Sequence, residues 1–153
     1  MISADLREFI ELLNSRGVEY VIVGAHCVAF HARPRYTGDL DILVRPTPVN
    51  AAKLEALLRD FGFPETSLSA QDFLEADQVI QLGRAPNRID ILTSLSGVNA
   101  EEAFATKIDA ELAGLPVFLL SKELLVRNKR ATARPQDLAD LAALQDCASD
   151  PGD

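Results

Sequence analysis

The sequence predicts a mixed α/β domain of the α+β kind, and three observations carry that expectation. Short β-branched or alternating apolar runs at 18–23, 39–44 and 88–92 are interleaved with longer stretches of helical period. Glycine and proline punctuate most junctions between them. Hydrophobic residues make up 48% of 153 positions, enough for one core, and no repeat or low-complexity tract interrupts them.

Leu6, Phe9, Ile10 and Leu13 recur at helical spacing after Ser3, a candidate N-cap, and before Gly17, so residues 4–15 are expected to form an amphipathic helix. Residues 18–23 are β-branched and aromatic, too short for a helix, and read as a buried strand. Gly24-Ala25 then turns the chain into a short helix through Cys27, Val28 and Phe30, ended by the loop around Pro34. A second strand at 39–44 sets Leu40, Ile42 and Val44 on one face and Asp39 and Asp41 on the other. Ala52, Leu54, Leu57 and Leu58 give a helix over 49–60, closed by Phe61-Gly62. Residues 64–77 are polar and without period, hence a loop.

Val79–Leu82 and 88–92 are strand candidates separated by five turn-like residues, which suits an antiparallel hairpin. A helix follows Asn99 as N-cap, with Glu101 and Glu102 in the first turn, where the dipole favours negative charge. Residues 110–120 form a weaker hairpin around Ala113-Gly114. Ser121 caps a helix through Leu124, Leu125 and Asn128; Arg134-Pro135 separates it from a last helix carrying Leu138, Leu141, Ala142 and Leu144. The expected organisation is one domain over 1–148, a sheet core at 1–120 and a C-terminal helical pair at 121–148, followed by a disordered tail at 149–153.

Lys plus Arg number 15 against 23 Asp plus Glu, a net charge of -8, with a pI near 4.7. Such a surface repels a polyanion, which argues against extended nucleic acid as a partner. It leaves room for a small anionic ligand where cations gather. Cys27 and Cys147 form neither a disulfide framework nor a zinc spacing. The N-terminal stretch carries Asp5, Glu8 and Glu11, unlike a signal peptide. No run approaches the ~18 apolar residues of a membrane span. The protein is therefore expected to be soluble and cytoplasmic, with no membrane partner.

Asp39 and Asp41 stand i and i+2 on one strand, their bases about 6.6 Å apart on the same side. Two carboxylates so placed repel one another unless a cation lies between them or one takes a proton. An oxygen-only donor set suits Mg²⁺ or Mn²⁺ rather than zinc. Arg88-Ile89-Asp90-Ile91-Leu92 supplies a third carboxylate in the same setting, so that if its strand neighbours the first, Asp39, Asp41 and Asp90 make one metal site. The D-x-D spacing arises about once by chance in a chain this acidic, and a solvated strand face is the alternative. Their context decides between the two: strand, glycine turn, short helix, carboxylate pair, then a lone carboxylate on a later strand.

Gly24-Ala25 followed, after thirteen intervening residues, by Asp39-Leu40-Asp41, with Asp90 downstream, resembles the nucleotidyltransferase superfamily related to DNA polymerase β. More narrowly, His31, Arg35-Tyr36-Thr37-Gly38-Asp39-Leu40-Asp41, Lys129-Arg130 and Arg134-Pro135-Gln136-Asp137-Leu138-Ala139-Asp140-Leu141 look like the small bacterial proteins grouped with abortive-infection toxin-type nucleotidyltransferases. The resemblance covers roughly residues 5–146. It implies a nucleotidyltransferase-like mixed sheet flanked by helices and a toxin–antitoxin setting. It also implies a metal-dependent transfer of a nucleoside monophosphate from a nucleoside triphosphate to a hydroxyl acceptor: a small molecule, a protein or an RNA end. Asp39, Asp41 and Asp90 would hold the divalent metals, Asp90 also assisting deprotonation of the acceptor. Gly24, Ala25 and the backbone N–H groups after them would cradle the phosphates, and Lys129 would contact phosphate. The family's turn is usually Gly-Ser or Gly-Gly; Ala25 keeps the backbone donors and lacks a hydroxyl.

Five basic residues, Lys122, Arg127, Lys129, Arg130 and Arg134, fall within thirteen positions, either a triphosphate-binding concentration or a solvated face. Helical spacing puts Lys122, Lys129 and Arg130 on one face. Asp137 and Asp140 either orient Lys129 or Arg134, or are acids of a helix's first turn. Arg35 and Thr37 either contact phosphate or brace the loop before Asp39. A homodimer or protein partner would help a chain this short hold a large acceptor. The competing class is a catalytically silent nucleotide-binding or antitoxin-like module that keeps the fold without the chemistry.

Overall fold

The computed structural model describes residues 4–32, 38–61, 68–83 and 88–148, with side chains through Asp146. Ser3, Pro34, Arg35, Thr37 and the tail at 149–153 lie outside the described residues. Helix α1 (Ala4–Ser15) buries Leu6, Phe9, Ile10 and Leu13, the four positions its period singles out. Strands β1 (Tyr20–Val23) and β2 (Leu40–Val44) are separated by the eight-residue helix α2 (Gly24–His31), and helix α3 (Pro48–Phe61) follows β2. Strands β3 (Val79–Leu82) and β4 (Ile89–Leu92) form the expected antiparallel hairpin.

Helix α4 (Ala100–Ala105) begins at Asn99, whose side-chain oxygen accepts a hydrogen bond from the Glu101 N–H. Strands β5 (Ile108–Leu112) and β6 (Leu115–Leu119) pair across Ala113-Gly114, both at positive φ. Helix α5 (Lys122–Thr132) is capped by Ser121, which accepts from the Leu124 N–H, and α6 (Pro135–Ala148) packs against it. Nearly every sequence expectation about element type is met. The exception is the polar segment 64–77, where a 3₁₀ turn over Ala70–Phe73 is fixed by a reciprocal capping box between Ser69 and Asp72 and by the buried Phe73 ring.

One mixed six-stranded sheet runs β3-β4-β2-β1-β6-β5. The pair β1–β2 is antiparallel, while β2–β4 and β1–β6 are parallel. Because directly opposed residues share a face, Tyr20, Ile22, Leu40, Ile42, Val44, Ile89 and Ile91 lie on one side and are all buried. The other side carries Val21, Val23, Leu43, Asp41 and Asp90. There the alternation predicted for β2 needs amending, since Leu43 is as buried as its neighbours. A central strand with both faces covered has no solvent side except at its end, and that end carries Asp41.

Helix α2 packs on β1 and β2 and touches both α5 and α6. Leu120, between β6 and α5, ties these parts together. Its N–H donates to the Ile22 carbonyl, and its own carbonyl accepts from Cys27 Sγ at 3.4 Å and from His31 Nε2 at 2.8 Å. No helix among the described residues is long and apolar enough to cross a membrane.

Candidate active site

The register of β2 against β4 places Asp41 directly opposite Asp90, and Asp39 sits one step before β2 on the same side. The three carboxylates that the sequence proposed as one group are thus brought together. Asp90 is buried at 8% exposure, and Asp41 is largely so. Burial, the hydrogen bond to the Asp90 carboxyl, and the charges of Asp90 and Asp39 push the Asp41 carboxyl up to about 7, against the pull of Arg88.

Arg88 is the residue sequence reasoning missed here. Its Nε and Nη2 donate to the two Asp90 oxygens at 3.0 and 3.2 Å, Nη2 lies 3.7 Å from Asp39 Oδ2, and its backbone N–H donates to Asp39 Oδ1. The signal was present, because Arg88 and Asp90 have the same i, i+2 spacing that groups Asp39 with Asp41.

Gly24 opens α2 at φ +69°, with no side-chain cap on the helix N-terminus. A Cβ at this position would run into the Asp41 carboxylate. Glycine is required twice over, by the backbone angle and by the approach of the acid. Ala25, the next residue, is half-buried and is not among the residues lining the cleft described below.

The carboxylates form one end of a cleft of about 720 Å³. Gly24, Asp39, Asp41, Arg88 and Asp90 line it on the sheet side, with Asp77, Gln78, Ser94 and Ser96 further along; Asn128, Lys129, Thr132 and Arg134 line the helical side. Asp77 and Ser94 hold one another through two hydrogen bonds, and Asn128 donates to the Ser96 carbonyl. Nothing in the spacing of these polar residues announced them.

The five cations at 122–134 are open to two readings, and the structure brings only part of the cluster together. Packing of α6 encloses Lys129 while its neighbour Arg130 stays exposed, Arg127 turns to Glu102, and only Lys129 and Arg134 of the five reach the cleft. Lys129 Nζ lies 3.2 Å from Asp137 and 3.1 Å from Asp140, both buried. Arg134 donates through its side chain and its backbone N–H to Asp137. Asp137 is thus at once an acid of the first turn of α6 and a partner of Lys129, and the guanidinium of Arg134, followed by lesser hydrogen bonds, holds its carboxyl far below the usual range.

Among the described residues no three His, Cys, Asp or Glu side chains stand as a ready-made metal cage. The donor chemistry nevertheless fits a hard divalent cation: three carboxylates on one sheet face, two of them in contact, beside a glycine whose missing side chain leaves room at Asp41.

No family model matches the sequence, and no curated protein is similar to it at the sequence level. Solved structures are similar in fold. The lincosamide antibiotic adenylyltransferase LnuA in its lincomycin-bound form superposes with a TM-score of 0.61 at 14% identity, over 95% of this chain and 98% of that one. The fold is nucleotidyltransferase-like. The antibiotic-resistance factor ANT(2'')-Ia gives 0.60 at 15% identity over 95% and 81% of the two chains. An antigenic nucleotidyltransferase-like protein from Paracoccidioides brasiliensis gives 0.57 at 15% identity over 92% and 72%.

Proposed function

We propose that this chain is a metal-dependent nucleotidyltransferase that moves a nucleoside monophosphate from a nucleoside triphosphate to a hydroxyl acceptor. The observation that carries this reading is the register pairing of Asp41 with Asp90, beside Asp39, at the end of a cleft opened by Gly24. Asp39, Asp41 and Asp90 would hold Mg²⁺ or Mn²⁺, which when bound neutralises charge on the phosphates and the leaving pyrophosphate. The uncapped N–H groups after Gly24 would bind phosphate oxygens at the positive end of the α2 dipole. Asp90 would accept the acceptor hydroxyl's proton, and Lys129 with Arg134 would face the triphosphate from the helical wall. Arg35 and Thr37 would act from the loop before Asp39.

A cleft of this size takes a small hydroxylated acceptor; an RNA end or a protein side chain would enter it by its tip alone. The net charge of -8 favours the small molecule, and the lincosamide antibiotic adenylyltransferase LnuA, similar in fold, is seen with lincomycin bound. The work would take place in the cytoplasm, with a second copy or a partner protein adding acceptor surface where one is needed.

A second reading, a silent nucleotide-binding or antitoxin-like module, is favoured by Ala25 in the turn and by cations already engaged with acids, Arg88 with Asp90 and Lys129 with Asp137 and Asp140. Incubation with labelled triphosphates, Mg²⁺ and lysate separates the readings. Wild type is expected to transfer label, and Asp39→Asn with Asp41→Asn to lose it at least a hundredfold; equal labelling by both proteins overturns the enzymatic reading.

A further inference from the structure

Arg88 occupies the position that matters most to any cation entering the site. Its fork engages both oxygens of Asp90, and the same guanidinium reaches Asp39. It therefore bridges two of the three acids, as a bound cation would. The bridge is not locked: the Arg88 side chain is 37% exposed, sits at the entrance of β4 and lines the open cleft. A long side chain with its head at the solvent can leave one partner for another at little conformational cost.

We propose that Arg88 competes with the divalent cation for Asp90 and Asp39, and that on metal entry its guanidinium turns into the cleft to meet the triphosphate. The proposal rests on the reading of Asp39, Asp41 and Asp90 as the metal-holding group. Its logic is charge balance. A unit positive charge beside the acids lowers the field a metal ion meets, so Arg88 weakens binding of metal alone. Metal drawing on Asp90 frees the fork, and a fork of five donors matches phosphate geometry. Triphosphate then takes the place of the carboxylates as its partner. Metal and nucleotide thereby favour one another's binding beyond their own contact, because each relieves the same guanidinium of a conflict. An ordinary structural brace would do neither.

Titration of Mn²⁺ alone, followed by the resonance of the free ion, gives the first measurement, on wild type, Arg88→Gln, Arg88→Lys and Asp39→Asn with Asp41→Asn. Arg88→Gln is expected to bind Mn²⁺ on the order of tenfold tighter than wild type, the effect of withdrawing a unit charge from within ~5 Å of a divalent ion. Arg88→Lys, which keeps the charge, is expected to stay within about threefold of wild type. Calorimetry with α,β-methylene ATP at saturating Mn²⁺ gives the second, in which Arg88→Gln is expected to bind at least fivefold weaker than wild type. This opposition of sign is the signature.

Melting curves confirm that each variant is folded. Equal or weaker Mn²⁺ binding by folded Arg88→Gln overturns the competition while leaving the metal site standing. Unchanged nucleotide affinity overturns the transfer of Arg88 to the triphosphate. Mn²⁺ binding that persists in the double Asp variant, or is absent from wild type and Arg88→Gln alike, overturns the metal reading of the three carboxylates and this inference with it.

Discussion

At one end of the cleft three carboxylates, Asp39, Asp41 and Asp90, are met among the described residues by the guanidinium of Arg88; on the helical wall Asp137 and Asp140 are matched by Lys129 and Arg134. Among the described residues the first group sets three carboxylates against one guanidinium, and crowding with its neighbours raises the Asp41 carboxyl. The second is balanced and cross-braced, with Lys129, Asp137 and Asp140 buried and Arg134 closing it from the surface, so each charge has its counter-charge in contact. Surplus charge costs stability and is useful only to something that binds it. Balance fixes a side chain in place, as it does Lys129 on the cleft wall. The same residue types, one cleft apart, are held for opposite ends.

Removing a partner from the balanced group is the severest disturbance. Lys129→Met leaves Asp137 and Asp140 buried without their ammonium and is expected to cost about 3–5 kcal/mol in urea denaturation. A loss under about 1 kcal/mol would show the group to be as loosely held as a surface ion pair. Next in size is pressure on the surplus group from its neighbour. Gly24→Ala combines left-handed backbone strain with collision against Asp41 and is expected to cost about 1–3 kcal/mol. In an Asp41→Ala background only the backbone part, about 1 kcal/mol, should remain.

The last comparison separates the groups by sign along the pH axis. Asp41 ordinarily titrates near 3.8 and in the fold near 7, so between these values the folded chain binds more protons than the unfolded one. Stability conferred by that proton is complete below about 4, falls as pH rises through the window and levels above 7. Asp137 behaves in reverse. Its depressed carboxyl contributes stability above the ordinary carboxylate range and loses it as pH falls below about 4. Melting temperature against pH should therefore lose its slope between 4 and 7 in Asp41→Asn while keeping its acid limb. An unchanged slope would show that the carboxylates at the end of the cleft are well solvated.

Much of this was legible in sequence for local reasons. Period located α1, α3 and α5, and alternation located Asp39 and Asp41 on the face away from Leu40 and Ile42. Two residues sharing a strand face need no tertiary knowledge. That Asp90 stands opposite Asp41 required the strand order, which alternation does not encode. Leu43 escaped because a strand end open to a cleft and a strand middle covered on both faces differ only in what packs above them. The 3₁₀ turn at Ala70–Phe73 has one large apolar anchor, Phe73, and one anchor makes no period. The cluster of cations at 122–134 stayed open between two readings because helical spacing orders side chains around an axis without saying which arc the next helix will cover. Arg35 and Thr37 lie outside the described residues, and their parts in the site rest on the resemblance.

The junction at Leu120 has a mechanical meaning. Three hydrogen bonds bind the root of α5 to β1 and α2. Lys129 lies seven residues beyond the first residue of α5, about 10 Å along a rigid rod. The glycine turn at the head of α2 and the ammonium on α5 therefore move as one body. The entropy of setting them at a fixed separation is met once, when the chain folds, and is not charged again to each ligand that arrives between them.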